Sequence, residues 1–325
     1  MNAKEKINQL KEIINKELSP LITGDYVLLD LPYHSNIGDT LIWKGTECYL
    51  QTLNKKCLIS TDHENFTFPD LPKDCIILLL GGGNFGDLYP KINNFRKAVI
   101  TRYPLNKIVV LPQTIFYNKE KNLKSDAEFF RGRNNVTICT RDNESYRIIN
   151  DYFHGPSVRL VPDMAFFINP DVYKKNISKS MTRTLYLKRS DKEAIDSTRP
   201  QCIPTDAEVH DWPTYEHGLP FFYWLCLKGI SIFKRIPYTD IFKRNYADFV
   251  WKNIILPYNV KTGINFLCSY DTIYTTRLHT AILSVLLNRK SIYLLDNNYG
   301  KLKSFYETWL TDLNNIEYIQ KEDLD

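Results

Sequence analysis

The sequence predicts an α/β protein of two lobes, each a largely parallel sheet covered by helices, facing each other across a cleft. Three observations carry this. Short apolar, β-rich runs alternate with helical patterns along most of the chain. A polar stretch, residues 169–182, holds Pro170 and several lysines and divides that alternation in two. At 325 residues the chain is also long for one core, so two domains are expected, at 1–175 and 176–325.

In order, the chain opens with Ile7, Leu10, Ile14 and Leu18 at helical spacing, an amphipathic helix ended near Pro20. It has neither the apolar core of a signal peptide nor a run of about 18 apolar residues. The first strand, 26–31, runs into Ser35-Asn36-Ile37-Gly38-Asp39-Thr40 and then a helix over 40–53. Asp39 or Thr40 either caps that helix or serves chemistry; the local pattern leaves both open.

The second strand, 75–80, ends in LGGGNFGDLYP, where Gly81, Gly83 and Gly86 satisfy G-x-G-x-x-G. A dinucleotide fingerprint also needs an acidic residue about 20 positions on. After Asp87 the next is Glu120, and Pro90 interrupts any helix that starts directly at the glycines. Dinucleotide binding is therefore set aside, and no P-loop is present. The cluster is then either a tight turn or a cleft wall offering Asn84 and Asp87 beside exposed main chain. Strands over 108–111, 136–139 and 159–161 complete this lobe, with Asp163 at a strand end just before the linker.

The second lobe opens with a strand, 184–188, ending in Lys188-Arg189-Ser190-Asp191. Patterning weakens over 199–262, and the Pro-, Asp- and His-rich 200–220 reads as a loop. Residues 219–233, LPFFYWLCLKGISIF, are either a buried helix or an interfacial segment at a membrane surface, with Lys234 and Arg235 near anionic headgroups. Strands over 265–267 and 272–275 follow, then Arg277-Leu278-His279 at the start of a helix over 280–287. A helix N-terminus favours anions, Arg offers a bidentate fork, and His transfers protons near neutral pH. A strand over 291–295, a polar loop 296–301 and a helix over 302–310 close the lobe.

The net charge of +5 is spread along the chain, which argues against nucleic acid as the main partner and suits an anionic small molecule. Seven cysteines without a C-x-x-C predict reduced thiols in a cytoplasmic protein, with neither a disulfide frame nor a zinc site. No metal-ligand spacing is evident, so no metal is expected.

Taken together, SNIGDTLIWKGTECYL, LLLGGGNFGDLYP, VLPQT, TRDNESY, VPDMAFF, TTRLHTAILSVLLNRKSIYLLDNNYGK and SFYETWL resemble the polysaccharide pyruvyl transferase family, across nearly the whole chain. The RLH segment with DNNYGK and FYETW is most similar to its exopolysaccharide branch. The resemblance implies a GT-B-like pair of Rossmann-like lobes and transfer of pyruvyl from phosphoenolpyruvate, without a further cofactor, to a sugar of a polysaccharide or capsule precursor. It implies that Arg277, Leu278 and His279 bind phosphoenolpyruvate, with Arg189 as a second cation. Asn36, Asp39, Gly83, Asn84 and Asp87 match first-lobe motifs facing the cleft. His279 is expected to bind the donor and supply a proton, and Asp39 or Asp87 to orient or deprotonate the acceptor hydroxyl. The acceptor is expected to be a sugar, including a lipid-linked oligosaccharide at the inner face of a membrane. The competing enzyme is a nucleotide-sugar glycosyltransferase of the same fold. It needs a second-lobe carboxylate for ribose, and none lies between Arg277 and Leu295.

Overall fold

A computed structural model describes residues 1–174, 183–189, 199–233, 240–295 and 300–320. The first lobe's strands are β1 (Tyr26–Leu29), β2 (Cys57–Thr61), β3 (Ile76–Leu79), β4 (Gly82–Gly86), β5 (Ile108–Phe116), β6 (Val136–Thr140) and β7 (Ser157–Leu160). They form one parallel sheet in the order β2-β1-β3-β5-β6-β7, with β4 added along β5. The second lobe holds β8 (Thr184–Leu187), β9 (Glu208–His210), β10 (Thr272–Thr275), β11 (Ser291–Leu295) and β12 (Ile316–Ile319), parallel in the order β12-β11-β10-β8-β9.

The helices are α1 (Ala3–Leu18), α2 (Ile37–Leu50), α3 (Pro90–Arg102), α4 (Glu120–Phe130), α5 (Asn143–Tyr152), α6 (Pro213–Glu216), α7 (Phe221–Phe233), α8 (Asp240–Val250), α9 (Leu256–Cys268), α10 (Leu278–Leu286) and α11 (Lys301–Trp309). The central strands YVLL and IILL are apolar throughout because helices cover both faces of the sheet. Alternation along β1 shows the two cores: Val27 and Leu29 point into one, Tyr26 and Leu28 into the other. The second of these cores is continuous between the lobes, from Leu10 of α1 through Trp43 of α2 and Ile264 of α9 to Ile282 of α10 and Phe305 of α11.

Two close approaches lock this arrangement. A Cβ on Gly45 of α2 would lie 1.9 Å from the Met164 carbonyl oxygen, so only glycine lets α2 settle on the 3-10 turn Met164–Phe167. The amphipathic helix α1, capped by the Asn2 side chain, packs on α10 of the second lobe and pairs Lys6 with Asp312 at 2.9 Å.

Three local expectations are corrected. Residues 265–267 lie inside α9, because their apolar residues continue a helical face over Val260 and Ile264. As expected, no helix starts at the glycines, and Pro90 instead opens α3 at a position where its missing N–H costs nothing. Residues 200–220 contain β9 and α6. The helix over 219–233 is not buried; its outer side chains face solvent. Part of the 169–182 stretch, Ser190, Asp191, Lys234, Arg235 and the polar loop 296–299 lie outside the described residues.

Candidate active site

The site lies where strand ends of both lobes meet. Arg141 follows β6 and is almost fully buried. Its Nε donates to Thr114 Oγ1 at 2.8 Å and its Nη1 to Asp163 Oδ2 at 2.7 Å. The other oxygen of Asp163 accepts the Ala165 N–H at 2.9 Å. From the second lobe, His279 Nε2 comes within 3.4 Å of Asp163 Oδ2 and 3.5 Å of Arg141 Nη1. Burial alone would raise the Asp163 carboxyl strongly, but His279, Arg141 and the Ala165 N–H together outweigh it and hold it below the usual carboxylate range. A charged carboxylate favours hydrogen on Nε2 of the imidazole. Nδ1 faces Gly38, where an added Cβ would lie only 2.6 Å away.

Lys301 begins α11 right after Gly300, whose left-handed φ of 61° turns the chain into the helix. Hydrogen bonds fix α11 to the first lobe. Trp309 Nε1 donates to the Arg141 carbonyl at 2.8 Å, Ser304 Oγ to Asp142 at 3.1 Å, and the Asn143 N–H to Thr308 Oγ1 at 3.1 Å. The buried Lys301 is thereby brought to the glycine strand β4. A Cβ on Gly83 would stand 3.4 Å from Arg141 Nη2 and 3.6 Å from Lys301 Nζ. The three glycines thus divide their work. Cβ atoms on Gly81 and Gly86 would strike the Pro112 and Phe116 carbonyls at 2.5 and 1.8 Å, so those two allow β4 to lie on β5. Gly83 keeps the space between two cations clear of side-chain atoms.

Arg277 is held by a carboxylate of its own lobe. Its Nε and Nη2 both donate to Asp211 at 2.7 Å, and its guanidinium stacks over Tyr215. Its fork is therefore engaged by a buried carboxylate rather than held out to a ligand. Arg277 is the N-cap residue of α10, and Leu278 is the helix's first residue, so both set where His279 points. Arg189 lies just past β8, the strand beside β10, at the same sheet edge as Arg277.

The first-lobe side is acidic. Asp30 follows β1 with a left-handed φ of 66° that turns its buried carboxylate toward β4. Asn84 donates to it at 3.5 Å while accepting from Arg96 Nη2 at 2.9 Å. His63 Nδ1 stands 3.9 Å away. Burial raises the Asp30 carboxyl to about 7; Arg96 and Asn84 oppose this, and Asp62 and Asp39 add to it. Asp39 sits in the first turn of α2, accepting from Asn36 Nδ2 at 2.8 Å, with His34 Nε2 at 3.6 Å. Asn36 is the cap itself, since its Oδ1 accepts the Gly38 N–H.

Asp87 leaves the group. Its two oxygens accept the Asn118 and Lys119 N–H groups and the Asn122 amide at 2.8 to 3.0 Å. It closes the loop that leads into α4, where these bonds hold it as a cap. Asn84 likewise holds Asp30 and Arg96 together. Sequence alone did not pick out Arg141 and Asp30, and it marked Lys301 only as part of the polar loop 296–301. Arg141 and Asp30 each follow an apolar run directly, the position where parallel sheets place ligand-binding groups. That signal was available.

The model for polysaccharide pyruvyl transferases matches residues 36–299, which span both the Asn36–Asp39 turn and the Arg277–His279 turn. The chain belongs to this family. Among relatives of pyruvyl transferases, EpsO of Bacillus subtilis, whose name assigns it to these enzymes, is 32% identical over 98% of this chain and 94% of its own length. Pyruvyl transferase 1 of Schizosaccharomyces pombe is 27% identical over 87% of this chain and 69% of its own. The fold is matched by the crystal structure of a functionally uncharacterised Klebsiella pneumoniae protein, with a TM-score of 0.61 at 19% identity, covering 96% of this chain and 98% of that one. This pyruvyl transferase is thus a transferase of two parallel α/β lobes, Rossmann-like and GT-B-like, and acts in pyruvyl transfer to polysaccharide.

Proposed function

We propose that this transferase uses phosphoenolpyruvate as donor and joins its pyruvyl carbon to two hydroxyls of one sugar, forming a ketal. The observation that carries this is that Arg141 and Lys301 flank the bare main chain at Gly83, with His279 beside Arg141. Phosphoenolpyruvate carries a phosphate and a carboxylate on three carbons, and clustered, largely desolvated cations suit it. His279, as the imidazolium with its Nε2–H held by Asp163, delivers the Nδ1 proton to the donor's methylene carbon and is reprotonated by a hydroxyl proton of the acceptor. The central carbon becomes electrophilic, and one sugar hydroxyl adds to it. A second hydroxyl then displaces phosphate. Of the two hydroxyl protons, one balances the proton on the new methyl group and the other leaves with phosphate.

Asp39 and Asp30 stand on the acceptor side, and Asp30, with its carboxyl raised to about 7, suits a base that takes the hydroxyl proton. The likeness of the RLH and DNNYGK segments to the exopolysaccharide branch supports an acceptor in exopolysaccharide synthesis, on a lipid-linked precursor at the cytoplasmic side of a membrane. No helix among the described residues is long and apolar enough to cross a membrane.

The test is phosphate release from phosphoenolpyruvate with a panel of sugar acceptors, the product checked for the added mass of one pyruvic acid less one water. Gly83→Val should raise the KM for phosphoenolpyruvate at least about tenfold by filling the space between the cations. Nucleotide release from a sugar nucleotide, with no phosphate from phosphoenolpyruvate, would give the protein to the glycosyltransferases instead.

A further inference from the structure

The apolar segment after residue 219 forms a surface that neither the fold nor the site uses. Half of the large apolar side chains exposed among the described residues, 8 of 16, belong to α7 and α8. On α7, Phe221 is 74% exposed and Phe222 61%, with Trp224 and Leu225 beside them. On α8, Ile241 is 75% exposed, and Phe242 and Phe249 share its face at helical spacing.

These side chains are displayed by anchored helices. Gly229 of α7 lets the Tyr246 ring pack so closely that a Cβ would lie 2.5 Å from its hydroxyl, and that hydroxyl donates to the Cys226 carbonyl. Ala247 and Val250 of α8 are buried. Asp248 faces inward and accepts from Tyr33 at 2.7 Å and Thr61 at 2.9 Å. The inner faces are therefore committed to the protein, and the apolar outer faces are held open to solvent.

Charge identifies the occupant. Between positions 221 and 250 the sequence carries Lys228, Lys234, Arg235, Lys243 and Arg244 against only Asp240 and Asp248, and Asp248 is turned inward. Lys228 lies over the Trp224 ring at 5.1 Å, so cation and aromatic share one outer surface. Exposed Phe, Trp and Ile interleaved with basic residues match the headgroup region of an anionic bilayer, where apolar side chains enter the acyl boundary and cations meet phosphate. A symmetric second copy would bring the same excess of positive charge against itself.

We propose that α7 and α8 seat this protein on an anionic membrane surface. Asp248 ties that surface to Tyr33, three residues after Asp30, and to Thr61, which directly precedes Asp62 and His63. Seating would therefore set the acceptor side of the site near the bilayer, where a lipid-linked acceptor resides. That last step depends on the pyruvyl-transfer reading; the docking surface itself does not.

The test is flotation of the full chain with vesicles of about one-third phosphatidylglycerol in phosphatidylcholine, beside phosphatidylcholine alone. The protein should float with the anionic vesicles, and binding should fall as salt is raised. Phe222→Ser with Phe242→Ser, and separately Lys243→Gln with Arg244→Gln, should each reduce the floated fraction about tenfold or more with an unchanged melting temperature, since the replaced rings are exposed. Absence of flotation by the parent chain, or full flotation of both variants, overturns the proposal. So does a concentration-dependent dimer in sedimentation that the phenylalanine changes abolish, because the surface would then belong to a second copy. No substrate enters the readout, so this result and the phosphate-release result fail independently.

Discussion

Arg277 and Asp211 form a buried, two-pronged pair: Nε meets Oδ1 and Nη2 meets Oδ2, each at 2.7 Å, with both residues less than 5% exposed. Arg277 ends the turn that delivers His279, and Asp211 follows β9, so the pair couples two segments of the second lobe. Removing one partner strands a charge where water cannot reach it. Arg277→Ala should cost about 3–5 kcal/mol in urea unfolding, and Arg277→Lys, without the planar fork, a substantial part of that. Replacing both partners by apolar residues should cost clearly less than the sum of the single changes, as a double-mutant cycle will read. A stability loss below about 1 kcal/mol for Arg277→Ala would argue that its main work is with a ligand.

Gly38 stands where a methyl group would reach His279 Nδ1 at 2.6 Å. Gly38→Ala should push the imidazole off its line to Asp163. A displacement near 1 Å at a catalytic group costs roughly a hundredfold, so kcat should fall by about that factor. Alanine is the better helix former inside α2, so the melting temperature should hold or rise. Lost stability with kcat retained would show that Nδ1 is not the nitrogen in use.

Much of this was legible in the sequence, for reasons that differ by residue. The central strands announced themselves because both faces of a parallel sheet are covered, which leaves plain apolar runs such as IILL. The RLH turn was legible because a strand passes straight into a helix there. What was hidden is which polar groups already hold partners. Arg277 and Asp211 are 66 residues apart, and only the fold closes that pair. Asp87 looked like a cleft carboxylate until the Asn118 and Lys119 N–H groups came to it from 31 and 32 residues away. Lys301 became a site residue only because Trp309 and Ser304 of α11 dock on the first lobe.

Asp87 should therefore act on stability and leave turnover alone. Its carboxyl lies below its ordinary value: burial opposes the shift, but the Asn118 N–H, the Asn122 amide and the Lys119 N–H outweigh it. A depressed folded value means that its stabilisation is present above pH about 4 and is lost as the pH falls further. Asp87→Ala should lower stability by about 1 kcal/mol at neutral pH, in the range of a lost cap, and the gap to the parent should narrow in acid. A kcat/KM for phosphoenolpyruvate within about twofold of the parent would fit the cap; a hundredfold fall would restore Asp87 to the chemistry.

Asp30 carries the opposite sign. Burial raises its carboxyl to about 7, against an unfolded value near 3.8, while Arg96 and Asn84 hold part of the charge and Asp62 and Asp39 repel it. A group whose folded form binds its proton more tightly than the unfolded form destabilises the fold once it must ionise. Stability should decline from pH about 4 to about 7, and the whole cost, of order 4 kcal/mol, should be present above that. Asp30→Asn keeps the shape and tolerates the left-handed φ of 66°. It should raise the melting temperature at pH 8 and change it little at pH 4. If Asp30 takes the acceptor proton, the same change should lower kcat by at least about a hundredfold and remove the rise in kcat/KM near pH 7. His63, 3.9 Å away, is pushed down by burial, and a limb that survives Asp30→Asn but vanishes in His63→Gln would transfer the role to the histidine. A variant that is both more stable and less active would mark Asp30 as a residue whose buried charge is retained for chemistry at the expense of the fold.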